Sequence, residues 1–377
     1  MVSVFFILDE AYSLFPGGED GPRFGGAGLQ MYLLADELSK DSELDVHWMF
    51  LSASARHPVV DVMSISHPRI ALSHIPRNRT VPFGHVFMKW AWENKMRSRY
   101  DSPHPIVLIA STAVYASCLL EQAEYARAKT ILRLSSDTDT TNPRWSQRSR
   151  EEAFSLYRAI DQIVTQTRTQ HDLLFKNVFI ESTRIGSIWP LPKDGIFLER
   201  EHILWVASAQ ALKQPWIFFN LAKQFPSERF VMVMPVTSEV QLAEYVIRQA
   251  SSVDNLTVID EQVPLDELVE YFAKAKVFVN TSEIEGFPNT FLQAGAVRTP
   301  ILSFGINPDD MLNVHKMGIC ADGDVERFTE GLTTLLGDAS LRDEYGENGF
   351  NYVKQFHNPT LIASQWKAII QGVLDGR

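Results

Sequence analysis

The chain has 377 residues, of which 45% are hydrophobic and 21% charged, and a formal net charge of −11. That length fits two domains of roughly 100–200 residues, each able to bury a full core without staples. The acidic balance excludes a nucleic-acid partner, because phosphate binding needs a basic surface.

Cys118 and Cys320 lie far apart, and neither has a second cysteine or histidine at ligand spacing. A disulfide framework and a structural zinc site are therefore not expected, and low cysteine use fits a reducing cytoplasm. Residues 1–8 are apolar but short and lack a basic leader and a cleavage site. They are expected to be a first strand, not a signal peptide. No run of about 18 apolar residues occurs, so no membrane span is expected. The expected location is cytoplasmic.

Residues 2–8 form a continuous apolar run, as in a strand buried on both faces. A loop rich in Gly and Pro covers 15–28, and the pattern then predicts a helix over 29–40 and a strand over 46–51. Strands at 106–110, 130–134 and 162–165 alternate with helices at 113–128, 144–160 and 168–176. Strands alternating with helices mean a parallel sheet.

Gly186, Pro190, Pro192 and Gly195 break this rhythm. The domain boundary is placed there, giving a first domain over 1–185 and a second over 186–358. The second domain has strands at 202–207, 229–234, 256–259, 277–280 and 300–303. Helices are predicted at 214–225, 239–250, 265–275 and 289–297. Three helices close the chain, starting near Val325, Ala339 and Pro359, and the last, over 359–377, is expected to pack back on the first domain. Two doubly wound halves in tandem place ligands at the carboxyl ends of their strands, with the cleft between the halves as the natural site.

Chemistry concentrates at 280–294, NTSEIEGFPNTFLQA. A buried strand runs into a loop with two carboxylates, then Gly286 and Pro288, then a helix start at Asn289. A helix N-terminus offers N–H groups and the positive end of a dipole, which suits a diphosphate. Glu285 lies just ahead of it, placed to accept hydrogen bonds from sugar hydroxyls. Read without context, the same stretch is an ordinary strand-loop-helix turn with solvated acids.

The segment resembles the donor-site motif of the retaining GT-B glycosyltransferases of family 4, where Glu, seven residues and a second Glu are usual. EGFPNTFLQA resembles a variant found in bacterial members. The resemblance implies that Glu285 contacts the donor sugar, and that Gly286, Phe287, Pro288, Asn289 and Thr290 form the rest of the donor loop. Gln293 stands where the second Glu contacts the nucleotide ribose. Gln can bond a ribose hydroxyl but lacks the charge.

Residues 204–215, LWVASAQALKQP, resemble the family's first strand of the second domain and its Arg- and Lys-bearing loop. Lys213 matches the Lys that clamps the leaving diphosphate, where charge builds in the transition state. Ser208 falls at the Arg position and cannot replace a fixed cationic fork. FGGAG at 24–28, with Gly25 and Gly26, resembles the family's Gly-Gly loop facing the donor phosphate, and glycine lets a backbone approach a ligand closely. Val263, within 262–264, aligns with the turn that faces the nucleobase.

The family's first-domain His is missing here, and Ser111 and Thr112 stand in that stretch. RLSSDTDT at 133–140 resembles a loop of the bacterial relatives. Asp137 and Asp139 there can bind acceptor hydroxyls, or equally cap a helix. Residues 86–100, VFMKWAWENKMRSRY, are basic and aromatic within an acidic protein. They form either a helix lying on an anionic membrane beside a lipid-linked acceptor, or a domain helix with its aromatic face in the core.

The resemblance thus implies an α/β GT-B fold of two Rossmann-like domains facing a central cleft. The implied reaction moves a sugar from a nucleotide-sugar donor to a glycan or lipid-linked acceptor with retention, in polysaccharide biosynthesis. No cofactor is expected beyond the nucleotide-diphosphate sugar as substrate. No metal is expected either, since no acidic pair sits at a strand end to bridge a diphosphate through a cation. Ser208, Gln293 and the missing His leave a second reading open, a catalytically silent GT-B protein acting as partner subunit of another glycosyltransferase. A nucleotide-sugar epimerase needs acid and base side chains converging on the cleft, and none is identified.

Overall fold

The computed structural model describes residues 1–8, 14–15, 25–52, 67–76, 100, 102–142, 145–192, 196, 198–236 and 239–376. The basic segment 86–100, apart from Tyr100, and Phe24 of the Gly-Gly loop lie outside the described residues. The chain divides into two compact units, one of Met1–Ile188 with Pro359–Arg377, the other of Trp189–Asn358.

The first unit is built on strands β1 (Val2–Ile7), β2 (Leu44–Ser52), β3 (Ala71–Pro76), β4 (Ile106–Ser111), β5 (Lys129–Arg133), β6 (Gln162–Thr165) and β7 (Thr183–Arg184). Their order in the sheet is β3-β2-β1-β4-β5-β6-β7, and every pairing is parallel. The unbroken apolar runs of β1 and β4 reflect helices on both faces, and all six residues of β4 are buried. Helix α1 (Gly26–Leu38) follows β1, α2 (Ala116–Ala126) follows β4, and the short α3 (Thr138–Thr141) and longer α4 (Gln147–Ala159) follow β5. Helix α5 (Arg168–Val178) follows β6.

The second unit has β8 (His202–Val206), α6 (Pro215–Gln224), β9 (Phe230–Val233), α7 (Val240–Ala250), β10 (Leu256–Ile259), α8 (Leu265–Ala273) and β11 (Ala275–Asn280). It continues with α9 (Asn289–Ala296), β12 (Ile301–Ser303), α10 (Met311–Val314), β13 (Gly318–Cys320), α11 (Val325–Gly337) and α12 (Ala339–Phe356). Its parallel sheet has the order β10-β9-β8-β11-β12-β13. The last helix, α13 (Pro359–Leu374), belongs to the first unit. Ile362, Trp366, Ile370 and Val373, on one stripe of α13, are buried in that unit's core. Lys367 pairs with Asp41 at the rim of this contact.

Strand order reverses beside β1 and β4 in the first unit and beside β8 and β11 in the second. In doubly wound sheets the loops leaving such neighbouring strands diverge and open a crevice. In the second unit those are the loops that carry Lys213 and Glu285.

Two features hold the opposite end of the second unit, where the strands begin. The half-buried Arg200 guanidinium donates to the carbonyls of Ala273 (2.8 Å), Ala275 (3.0 Å) and Arg298 (2.8 Å), and to Thr299 Oγ1 (2.7 Å). It thereby answers carbonyls that α8 and α9 leave open at their C-termini. Gly295 lets α9 lie against α12, since a Cβ there would stand 2.9 Å from the Gly349 carbonyl oxygen.

Candidate active site

The two loops at the β8/β11 crevice are fastened to each other before any ligand is considered. After β8 the chain makes a 3-10 turn at Ala211–Lys213. Gln214 then takes a left-handed conformation, φ 46° and ψ 54°, and α6 starts on Pro215. A residue before proline is disfavoured in the right-handed helical region, so the turn cannot simply run into the helix. The Glu283 amide donates to the Leu212 carbonyl at 2.8 Å, joining the β11 loop to this turn.

Buried hydroxyls complete the joint. The Trp205 indole N–H donates to Thr281 Oγ1 at 2.8 Å, and Thr281 Oγ1 donates to the Lys213 carbonyl at 2.6 Å. Ser282 Oγ donates to Glu285 Oε1 at 2.7 Å. The Lys213 ammonium pairs with that same oxygen. Their side chains are only 20% and 17% exposed, so each charge is largely answered by the other.

Gly286 and Phe287 continue the loop, and the Phe287 ring lies 5.0 Å from that of His357. Pro288 is buried at the N-cap position of α9. The helix opens with no side-chain cap and no acidic residue in its first turn. Asn289 and Thr290 form that turn, half-buried. The loop with Glu285 thus runs directly into the positive end of a helix dipole. Gln293, one turn on, is only 6% exposed. Ser208 is half-buried between β8 and the 3-10 turn, and Val263 packs against the core on the α8 side.

In the first unit Gly25 and Gly26 are exposed at the start of α1. Gly25 has φ −95° and ψ 172°, an extended conformation open to any residue. Glycine's left-handed freedom is not used there; what the position offers is an uncovered backbone. Ser111 is buried and donates to the Arg133 carbonyl at 3.3 Å. Thr112, the next residue, has φ 72° and ψ 151°, and its buried Oγ1 has no hydrogen-bond partner among the described residues. That backbone region costs a residue with a Cβ about 1–3 kcal/mol and marks sites where geometry serves a purpose.

Asp137 and Asp139 divide. Asp137 precedes α3, and its carbonyl accepts from the Thr140 and Thr141 hydroxyls. Asp139 is buried, and its carboxylate accepts backbone N–H groups of Ser135 (2.8 Å), Ser136 (3.1 Å) and Ala113 (3.3 Å). Burial pushes its carboxyl above the usual range, against those three hydrogen bonds. Its Coulomb partner is the fully buried Arg133, which burial lowers to about 10 and which donates to Gln166 (2.6 Å) and Ser187 (3.1 Å). Asp139 therefore organises the loops after β4 and β5, while α3 itself has no side-chain cap.

Among the described residues no group of three or more His, Cys, Asp or Glu is placed to hold a metal ion. No described helix is long and apolar enough to cross a membrane.

Over its whole length the chain superposes on sucrose-phosphate synthase from Thermosynechococcus elongatus, TM-score 0.77, with 14% identity and 100% of both chains covered. The fold is GT-B. Anabaena Alr3699/HepE, in complex with UDP and glucose, gives a TM-score of 0.74 at 12% identity, covering 98% of this chain and 99% of that one. Residues 203–338, within the second unit, match the family model Glycosyl transferases group 1. The capsular polysaccharide biosynthesis glycosyltransferase CapM of Staphylococcus aureus is 27% identical over 96 residues. That match spans a quarter of each chain. Family match and fold together support a GT-B glycosyltransferase.

Proposed function

We propose that the protein is a retaining glycosyltransferase of family 4 that carries a sugar from a nucleotide-diphosphate donor to a glycan or lipid-linked acceptor, without a metal ion. The observation that carries this reading is the meeting of Lys213 and Glu285, from loops on either side of the β8/β11 crevice, directly ahead of the α9 N-terminus.

The chemistry follows from those groups. The Lys213 ammonium and the first turn of α9 take the diphosphate, where negative charge develops as the bond from the anomeric carbon to phosphate oxygen breaks. Glu285 holds the sugar through its hydroxyls, and Gln293 takes the ribose. The acceptor hydroxyl bonds to the anomeric carbon on the face the leaving group vacates, and its proton passes to the departing diphosphate oxygen. No protein nucleophile is needed, so the rate rests on positioning and charge stabilisation. Ser208 supplies no cation, so this reading puts more of the phosphate charge on Lys213 and α9. In the first unit the reading assigns an acceptor contact to Thr112, whose hydroxyl has no partner among the described residues and whose backbone is strained.

UDP-glucose is the first donor to try, since HepE is described with UDP and glucose. A capsular-type polysaccharide acceptor is the first acceptor, by likeness to CapM. The test is product analysis by proton NMR with EDTA present. Transfer with the donor's anomeric configuration kept is the expected result. Inversion, or turnover only with added divalent metal, overturns the mechanism.

A further inference from the structure

Lys213 and Glu285 stand on loops, where long side chains sample many rotamers, yet catalysis by positioning requires both to be held. Two neighbouring hydroxyls at the end of β11 meet that need. We propose that Thr281 and Ser282 are positioning residues that set the two charged groups separately, Thr281 the diphosphate-binding lysine and Ser282 the sugar-binding glutamate. The proposal rests on the glycosyltransferase reading above for the identity of the ligands, but not for the geometry.

Successive residues of an extended segment point to opposite sides, so adjacent hydroxyls can serve different partners. Thr281, fully buried, turns to the β8 side. Its oxygen accepts from Trp205 Nε1 and its single proton goes to the Lys213 carbonyl. A hydroxyl has one proton to give, so the Trp205 N–H fixes its direction. The Lys213 backbone is thus tied to an indole in the central strand of the sheet. The ammonium itself is untouched by Thr281 and pairs with Glu285.

Ser282 acts on the other side. Its amide donates to Asn280 Oδ1 at 3.2 Å, and its proton goes to Glu285 Oε1. Lys213 falls on the same oxygen. Among the described residues no hydrogen bond falls on Oε2. The geometry therefore commits Oε1 to the protein and leaves Oε2 for a sugar hydroxyl.

This division has a consequence that general stabilisation of the loop lacks. Removing the Ser282 hydroxyl harms recognition of the sugar but not of the nucleoside diphosphate. Removing the Thr281 hydroxyl harms recognition of the diphosphate itself. Calorimetry with UDP and UDP-glucose, or whichever matched pair binds the wild type, reads both effects. Ser282→Ala is expected to bind UDP like the wild type while losing the gain that the sugar brings. Its kcat falls by about tenfold or more, as for one lost hydrogen bond to a charged group. Thr281→Val is expected to weaken UDP by about tenfold, with Thr281→Ser restoring it. Trp205→Phe leaves the Thr281 hydroxyl free to turn, and should weaken UDP in the same direction as Thr281→Val but by less.

A second readout needs no donor. Acylation of Lys213 by acetic anhydride, followed by mass spectrometry against the exposed Lys223, should be faster in Thr281→Val and unchanged in Thr281→Ser. A Ser282→Ala protein that loses UDP together with UDP-glucose, or a Thr281→Val protein that binds UDP like the wild type, overturns the division of labour while leaving the glycosyltransferase reading intact. If the wild type binds no nucleotide, that reading fails, and the acylation rates alone decide: an unchanged Lys213 rate in Thr281→Val overturns the proposal.

Discussion

Lys213 and Glu285 are 72 positions apart in sequence and meet as an ion pair on Glu285 Oε1. Each is the other's counter-charge, so a donor must share the pair. Truncating either residue leaves the other charge partly buried and unanswered. Lys213→Ala and Glu285→Ala are each expected to lower kcat by about 10²–10³-fold, the usual cost of one stabilising group at developing charge. The double variant should lose much less than the product of the two, because the residues act as a unit. Steady-state kinetics of all four proteins checks this; strictly multiplicative losses would show two independent groups.

Ser208→Arg tests the one cation that the resemblance expects and the chain lacks. A guanidinium entering the loop between β8 and Lys213 gains charge-assisted hydrogen bonds to phosphate. Affinity for the nucleoside diphosphate is expected to rise by about tenfold, within the range for one hydrogen bond to a charged group. Calorimetry reads it. Unchanged affinity places the diphosphate away from Ser208.

His202 provides a pH-dependent term in the stability of the second unit. Burial lowers its imidazole to about 4, and a hydrogen bond to the Tyr271 carbonyl (3.1 Å) only partly opposes this. The folded state thus holds His202 neutral at pH values where the unfolded chain, near 6.5, already binds a proton. Its contribution is complete above pH 6.5 and is lost as pH falls toward 4, by about 3 kcal/mol. Urea unfolding at pH 7 and pH 4.5 should show a smaller acid loss in His202→Gln than in the wild type. Equal losses in the two proteins would remove His202 from the account.

Arg200 is the structural residue whose loss should be felt most. Arg200→Ala strands the carbonyls of Ala273, Ala275 and Arg298 at buried helix ends. A destabilisation of about 3 kcal/mol or more is expected. Arg200→Lys should recover little, because a single ammonium cannot reach both helix ends at once. Denaturant midpoints measure both.

The long elements were legible because burial on both faces writes itself into sequence. The runs in β1, β4 and β9 and the three closing helices from Val325, Ala339 and Pro359 have one reading each. The short pieces were not. The three residues of β13 (Gly318–Cys320) and the two of β7 are below the length at which any periodicity exists. Residues 113–128 read as one helix, while the structure has a 3-10 turn at Ala113–Tyr115 before α2. At the candidate site, Glu285, Gly286, Pro288 and Lys213 stood out, since a carboxylate and a lysine around a Gly/Pro turn into a helix carry their chemistry locally. Their supports did not. Thr281 and Ser282 read as ordinary strand-end residues, and only the fold brings Trp205, 76 positions away, to the Thr281 hydroxyl. The same limit left the role of Asp139 open, since its partners Arg133 and the loop amides become visible only when β4 and β5 lie side by side.

The most direct test of the central claim is calorimetric titration of the wild type and of Lys213→Ala with UDP-, GDP-, ADP- and dTDP-sugars, with EDTA present throughout. The account expects one of these donors to bind the wild type without metal, with affinity falling at least tenfold in Lys213→Ala. A well-folded wild type that binds none of them, or a Lys213→Ala protein that binds its donor equally well, would contradict it and turn attention to a GT-B protein that serves another glycosyltransferase as its partner.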